Sequence, residues 1–453
     1  MKPSTNKFIK VIREKKADAN ILEFQLSFSE NLGKYLPSKY FIKYDTPVNR
    51  VDDSILNVPA VAGIITVAWA VGADIYVKTL DKTYLDSLNK IKSYVKIWYP
   101  HFDLSTKIYV EKLTSNKFSN SGYALFYTGG IDSTTTFIRH RNKNPTLLHV
   151  FEVNTQRSFN EKEATKYRKR LKNFARQEKT KINFIKTNIP PGRIQEALVL
   201  KEFGFRWWVQ LGHALILPSL SAPLSMHENI GTIYMASSWT PEVKGIDKLG
   251  WGTHPQVVNN ISWADLKVVL EDYDKSRQEK IKIIKDHIQK NKFYPYLRVC
   301  NTTSASNCSR CEKCARTITG LVLEGIDPHK VGFPKVTHET FTQIQKSLLS
   351  SFRRSKLIPE ISEPYRIQVK IFYWKDIQKH IPEEIDSYPY DSQRFFRWLK
   401  NINIDELYES KKDIKLGQLP KLVILYLYNQ FPFSMKNSLS RIVPKKIRSL
   451  LTT

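Results

Sequence analysis

The stretch Tyr123–His140, YALFYTGGIDSTTTFIRH, decides how the rest of the chain is read. A short apolar segment of strand character leads through Gly129 and Gly130 into a hydroxyl-rich turn that opens a helix. Paired glycines at a strand-to-helix turn admit backbone conformations closed to other residues and bring amide N–H groups close to a ligand. Such a nest suits phosphate. Thr128, Ser133 and Thr134 add hydroxyls, and the helix beginning near Asp132 contributes its positive end. Asp132 either caps that helix or helps hold magnesium, and the residues alone leave both roles open. The turn is not a Walker A loop, because GxxxxGK[ST] does not occur.

Outward from this turn, strand-like runs alternate with helical ones. TLLHVFEVN (146–154), KINFIKTNI (181–189) and IGTIYMASS (230–238) are β-branched or aromatic. Between them, EKEATKYRKRLKNFARQE (161–178) places Ala164, Tyr167, Leu171, Phe174 and Ala175 on one helical face. Alternation of this kind predicts an α/β fold, a parallel sheet with helices on both faces, whose ligands bind beyond the carboxyl ends of the strands. Three blocks are expected: a small α/β unit over residues 1–115, the alternating domain over 116–330, and a mostly helical extension over 331–453. The long uncharged run Ser54–Ala73 contains Ser, Asn, Pro, Thr and two glycines and reads as a buried helix ending near Gly72, not as a membrane span. In the last block, KLVILYLYNQFPFSM (421–435) reads as core, and the basic end KNSLSRIVPKKIRSLLTT (436–453) as a frayed or packed tail.

The 453 residues are 41% hydrophobic, enough for a substantial core. Lys and Arg number 71 against 43 Asp and Glu, a formal +28 that attracts nucleotide phosphates or nucleic acid but equally describes a solvated basic surface. The N-terminus lacks the apolar run of a secretory signal, which points to the cytoplasm. All four cysteines, Cys300, Cys308, Cys311 and Cys314, lie in CNTTSASNCSRCEKC. Such clustering argues for a metal. Tetrahedral thiolate zinc is the reading, with an iron–sulfur cluster or a redox disulfide as the alternatives. His254, in WGTHP, is a candidate substrate contact or proton carrier, or else it orients a loop. Trp207 and Trp208 read as core and not as platforms for a base.

YTGGIDSTTT resembles the SGGxDST pyrophosphate loop of the ATP-pyrophosphatase (PP-loop) superfamily, with Thr128 standing for the usual serine. Members of that superfamily grip the β and γ phosphates of ATP while a nucleophile attacks the α phosphate. CNTTSASNCSRCEKCARTITGLVLEGIDP is similar to the zinc loop and following helix of the 7-cyano-7-deazaguanine synthases, with Arg316, Gly320, Gly325, Asp327 and Pro328 falling where that pattern has them. In VFEVNTQRSFNEKEATK, Gln156 and Arg157 match a YGQRH motif, while Asn154 and Thr155 replace its Tyr and Gly. Arg206, in FGFRWWVQ, lies near where the synthases have an arginine facing nucleotide. The chain departs from them after the fourth strand, where SSWTPEVKGIDKLGWGTHPQVVNN stands in place of a YPDCR segment, so the resemblance offers a 7-deazaguanine-like substrate as one candidate without the residues that recognise it in the synthases.

The resemblance covers Gly122 to Lys330 and implies a Rossmann-like PP-loop domain with a zinc loop. It further implies an ATP-dependent ligase using ATP, magnesium and zinc. A small-molecule carboxylate would be adenylated, pyrophosphate released, and an amide or nitrile formed with ammonia or an amine. Candidates for the chemistry are Asp132, Ser133, Arg157 and His254. Thr128, Gly129, Gly130, Asp132, Ser133, Thr134, Gln156 and Arg206 would hold the nucleotide, and the four cysteines the metal. Alternative expectations are a tRNA-modifying relative, which would use the basic charge, and a nucleotide-binding scaffold with a protein partner in a bacterial defence complex. A homodimer is a further expectation.

Overall fold

The computed structural model describes residues 7–14, 17–118, 121–152, 159–243, 245, 250–300, 302–357 and 364–409. The segments 421–435 and 436–453 singled out in the sequence lie outside these residues. The chain divides into a compact unit ending at Val336 and a second unit from Thr337.

One sheet of eleven strands organises the first unit. In chain order the strands are β1 (Phe8–Glu14), β2 (Ile21–Phe28), β3 (Lys39–Tyr44), β4 (Asp74–Asp81), β5 (Ile108–Thr114), β6 (Gly122–Phe126), β7 (Thr146–Glu152), β8 (Ile182–Thr187), β9 (Ile230–Ala236), β10 (Ser262–Trp263) and β11 (Leu266–Glu271). Their order across the sheet is β10-β11-β9-β6-β7-β8-β3-β2-β1-β4-β5. From β11 to β8 every pairing is parallel, as the strand–helix alternation requires. β3 then joins β8 antiparallel, and β1 to β3 form an antiparallel meander before β4 and β5 return parallel. The strands β1 to β5, all within the first block read from the sequence, therefore extend the sheet that carries the glycine turn.

Side chains on β6 and at the residue after it show how the sheet separates two cores. Ala124 and Phe126 enter one apolar cluster, while Leu125 and Tyr127 enter another. The first cluster takes in the helix Val58–Val71, buried along its whole length and closed by Gly72 in the left-handed region. No helix among the described residues is long and apolar enough to cross a membrane. The second cluster receives Tyr167, Leu171, Phe174 and Ala175 from the helix Glu161–Gln177, the face read from its periodicity.

Topology places the glycine turn. The chain runs β6 to β7 to β8 in one direction, then returns to lay β9 against the other edge of β6. Successive connections thus leave β6 and β9 in opposite directions, which opens a crevice beyond their carboxyl ends. The turn Thr128–Gly130 and the segment starting at Ser237 both emerge there.

The second unit contains the helices Thr340–Leu357, Pro364–Lys379, Ser392–Asn401 and Ile404–Glu409, the middle two joined by an irregular connection over residues 380–391. Phe341 packs against Phe395 and Phe396, and Trp374 is buried.

Candidate functional site

Gly129 has φ +65°, the left-handed region that favours glycine. Its carbonyl accepts the Arg298 N–H at 2.7 Å, and the Tyr167 hydroxyl donates to the carbonyl of Thr128. Gly130 serves as N-cap of the helix Ile131–His140 without a side-chain bond, so the first helical amides open toward the crevice. Among the described residues, the N–H groups of Gly129, Gly130, Ile131 and Asp132 meet no acceptor. The Ser133 hydroxyl sits inside the bend: it accepts the Thr128 N–H at 3.2 Å, donates to the Gly130 carbonyl at 3.3 Å, and lies 3.3 Å from the Thr128 hydroxyl. Thr134 turns inward. Its side chain is buried with Oγ1 3.5 Å from the Tyr127 phenol, so its hydroxyl does not line the turn as the sequence suggested.

Asp132 does not cap the helix, since Gly130 holds that position. Its carboxylate instead meets the Arg277 guanidinium at 3.1 Å, the Lys280 ammonium at 3.5 Å and the Ser238 hydroxyl at 3.2 Å. Burial works to raise its pKa, but the charges of Arg277, Lys280, Arg316 and Lys313 prevail and hold it down at about 2. The Lys280 side chain is only 1% exposed and donates to the Ser237 carbonyl at 2.6 Å, which ties the loop after β9 to the turn. Desolvation lowers its pKa.

Arg277 and Lys280 were missed from sequence. A signal existed: in RQEKIKIIKDHIQKN, Lys280 falls on the same helical stripe as Ile281, Ile284 and Ile288, where a lysine is out of place. Ser276 opens this helix with a capping box to Glu279, which fixes where Arg277 and Lys280 point.

The four cysteines come together as their clustering suggested. Their sulfur atoms all lie within 4.8 Å of one another, with Cys300–Cys311 at 3.7 Å and Cys308–Cys314 at 3.8 Å. A tetrahedron with Zn–S bonds of about 2.3 Å has S···S edges of about 3.8 Å, so the group could hold one metal ion such as zinc. The four thiols are free, with no S–S bond among them, and sulfurs this close suit one ion better than thiolates spread around several irons. Asn307 braces the cluster from behind. It accepts from the Val299 and Cys300 amides and donates to the Leu297 and Gly332 carbonyls. The same segment carries Tyr296 and Arg298 against Gly129 and Gly130, so the cysteine loop forms one wall of the turn.

The remaining candidates fall elsewhere or out of view. Gln156 and Arg157 lie outside the described residues. His254 is N-cap of the short helix Pro255–Val258: Nδ1 accepts the Gln256 N–H at 3.2 Å, and the ring packs on Trp98 and Trp251. That is the loop-orienting arrangement. Arg206 precedes the π-helical turn Trp207–Gly212, and its N–H donates to the Gln210 side chain. Trp207 and Trp208 are core residues, as read. Compared with models of known families, with curated proteins and with solved structures, the chain finds no match.

Proposed function

We propose that this chain is a PP-loop ATP pyrophosphatase of the 7-cyano-7-deazaguanine synthase type, an ATP-dependent carbon–nitrogen ligase that adenylates a carboxylate. The observation that carries the reading is the bend itself. Open amides from Gly129 to Asp132 face the crevice at the carboxyl ends of β6 and β9, with Arg277 and Lys280 beside them. This is a set of donors aimed at one place, where negative charge would gather on a departing pyrophosphate. ATP would supply an α phosphorus open to a carboxylate oxygen, with pyrophosphate as the leaving group.

The chain's own residues would then bind and orient. Amides of the bend hold the terminal phosphoryl oxygens. Thr128 and Ser133 hydroxyls adjust to them, Arg277 offsets their charge, and Asp132 provides the carboxylate for magnesium. The cysteine cluster, closed by four protein ligands when metal is bound, would brace the wall that carries Arg298 and do no chemistry. Gln156 and Arg157 would position nucleotide or acceptor. An amine or ammonia would then displace AMP to give an amide, with a nitrile as the dehydrated product.

The test is pyrophosphate release from ATP by the full chain, measured against a panel of small carboxylates with ammonia and, separately, with bulk tRNA. Release that requires a carboxylate supports the ligase. Release that requires tRNA moves the reading to a tRNA-modifying enzyme, and ATP binding without release under any condition leaves a nucleotide-binding scaffold.

A further inference from the structure

The charge balance around Asp132 bears on how ligands enter the site. One carboxylate, 19% exposed, meets Arg277 at 3.1 Å and Lys280 at 3.5 Å, with Lys313 and Arg316 close enough to act on it. Among the described residues the further acids nearby are Glu312, 3.7 Å from Arg316, and Asp272, whose charge acts on Lys280. Among the described residues, cations therefore outnumber acids where a magnesium ion would have to bind. A divalent cation approaching alone meets net repulsion and a carboxylate whose oxygens are already engaged. A polyanion meets attraction and open amides.

The two partners of Asp132 are not equivalent. Lys280 is 1% exposed and anchored on the Ser237 carbonyl, so it stays in place. Arg277, at the first helical position, is 11% exposed and so less deeply buried than Lys280. Its planar fork suits two phosphate oxygens at once.

Resting on the nucleotide reading above, we propose that the site binds a polyphosphate anion free of metal first, and that Asp132 becomes a ligand for a divalent cation only after the phosphate has drawn Arg277 away from it. Arg277 is thus the exchanging partner and Lys280 the fixed one. No bond is made or broken. The carboxylate trades a guanidinium for a metal ion, and the guanidinium trades a carboxylate for phosphate oxygens. Linkage then makes pyrophosphate and the metal raise each other's affinity by one common factor.

The experiment uses the full chain with inorganic pyrophosphate, titrated calorimetrically in buffer stripped of divalent cations before the protein is added, and with Mn2+ followed by EPR. Wild type is expected to bind pyrophosphate without metal and to leave the free Mn2+ signal unchanged. With pyrophosphate present it takes up Mn2+ beyond what pyrophosphate sequesters in solution. Arg277→Gln is expected to weaken metal-free pyrophosphate at least tenfold and to gain Mn2+ uptake without pyrophosphate, a gain that a merely structural role would not produce. Adding Asp132→Asn to that variant abolishes the uptake. Mn2+ binding to wild type alone, binding of pyrophosphate only together with metal, or wild-type behaviour of Arg277→Gln each overturns this order while leaving the nucleotide reading in place. No binding of pyrophosphate in either form overturns both.

Discussion

Replacing the two glycines of the turn one at a time separates folding from binding. At Gly129, φ is +65°, and an alanine there is strained whatever the space around it. The cost expected of a β-carbon in the left-handed region is about 1–2 kcal/mol of stability. Gly130 differs. Its φ is −79°, and an added β-carbon would meet only the Thr128 hydroxyl at 3.5 Å and the Arg298 carbonyl at 3.7 Å, which are ordinary contacts. Gly130→Ala is therefore expected to fold with stability within about 0.5 kcal/mol of wild type. Its methyl nevertheless stands at the bend, where a phosphate must approach main-chain amides closely. Losing one charge-assisted amide bond, worth about 2 kcal/mol, weakens pyrophosphate by roughly 30-fold. Denaturant unfolding and calorimetric titration of the two variants read both quantities. Wild-type affinity in Gly130→Ala, or an affinity loss no larger than its stability loss, would refute the argument that ligand lies against this bend.

Metal removal should act on the turn as well as on the cluster. Full chain as purified is expected to hold one metal ion per chain by elemental analysis, and Cys308→Ser to lose it along with several-fold in pyrophosphate affinity, because Arg298 and Gly129 share the N–H···O bond at 2.7 Å. Unchanged affinity in the metal-free chain would show the two sites to be independent. His149 supplies a pH dependence: burial, aided by the charges of Arg168 and Arg298, brings its pKa to about 4 from 6.5 despite the bond to the Tyr127 carbonyl. Between those values the unfolded chain binds more protons, so stability is complete above pH 6.5 and falls by about 3 kcal/mol as pH drops through 4. His149→Phe should flatten unfolding midpoints across that window, and a wild-type midpoint that is already flat there would contradict the assignment. His254→Ala is expected to cost about 1 kcal/mol of stability through the lost cap and to leave pyrophosphate affinity unchanged. A selective loss of affinity would return His254 to the site.

What could be read in advance follows from how local each signal is. Gly129, Gly130 and Ser133 are neighbours along the chain, and the four cysteines span fifteen residues, so local pattern carried both features. The buried face of the helix Glu161–Gln177 likewise obeys its own period. Pairings between distant segments leave no such trace. Nothing in residues 39–44 announces that β3 will join β8 antiparallel and carry the first five strands into the same sheet. Lys280 reaches Asp132 across 148 positions, and only its misfit on an apolar stripe hinted at a polar partner. Asp132 shows the limit of motif reading most clearly. Its residue type fits a cap or a metal ligand, yet its contacts are two cations from another helix and the Ser238 hydroxyl.

The central claim is that the amides following Thr128 take the terminal phosphates of ATP. Crystals of the full chain grown with a slowly hydrolysed ATP analogue test it most directly. Density for the β and γ phosphates within hydrogen-bond distance of the Gly129 to Asp132 amides is the expected result. An empty bend with nucleotide bound elsewhere, or the bend closed over its own Ser133 hydroxyl at saturating analogue, would contradict it.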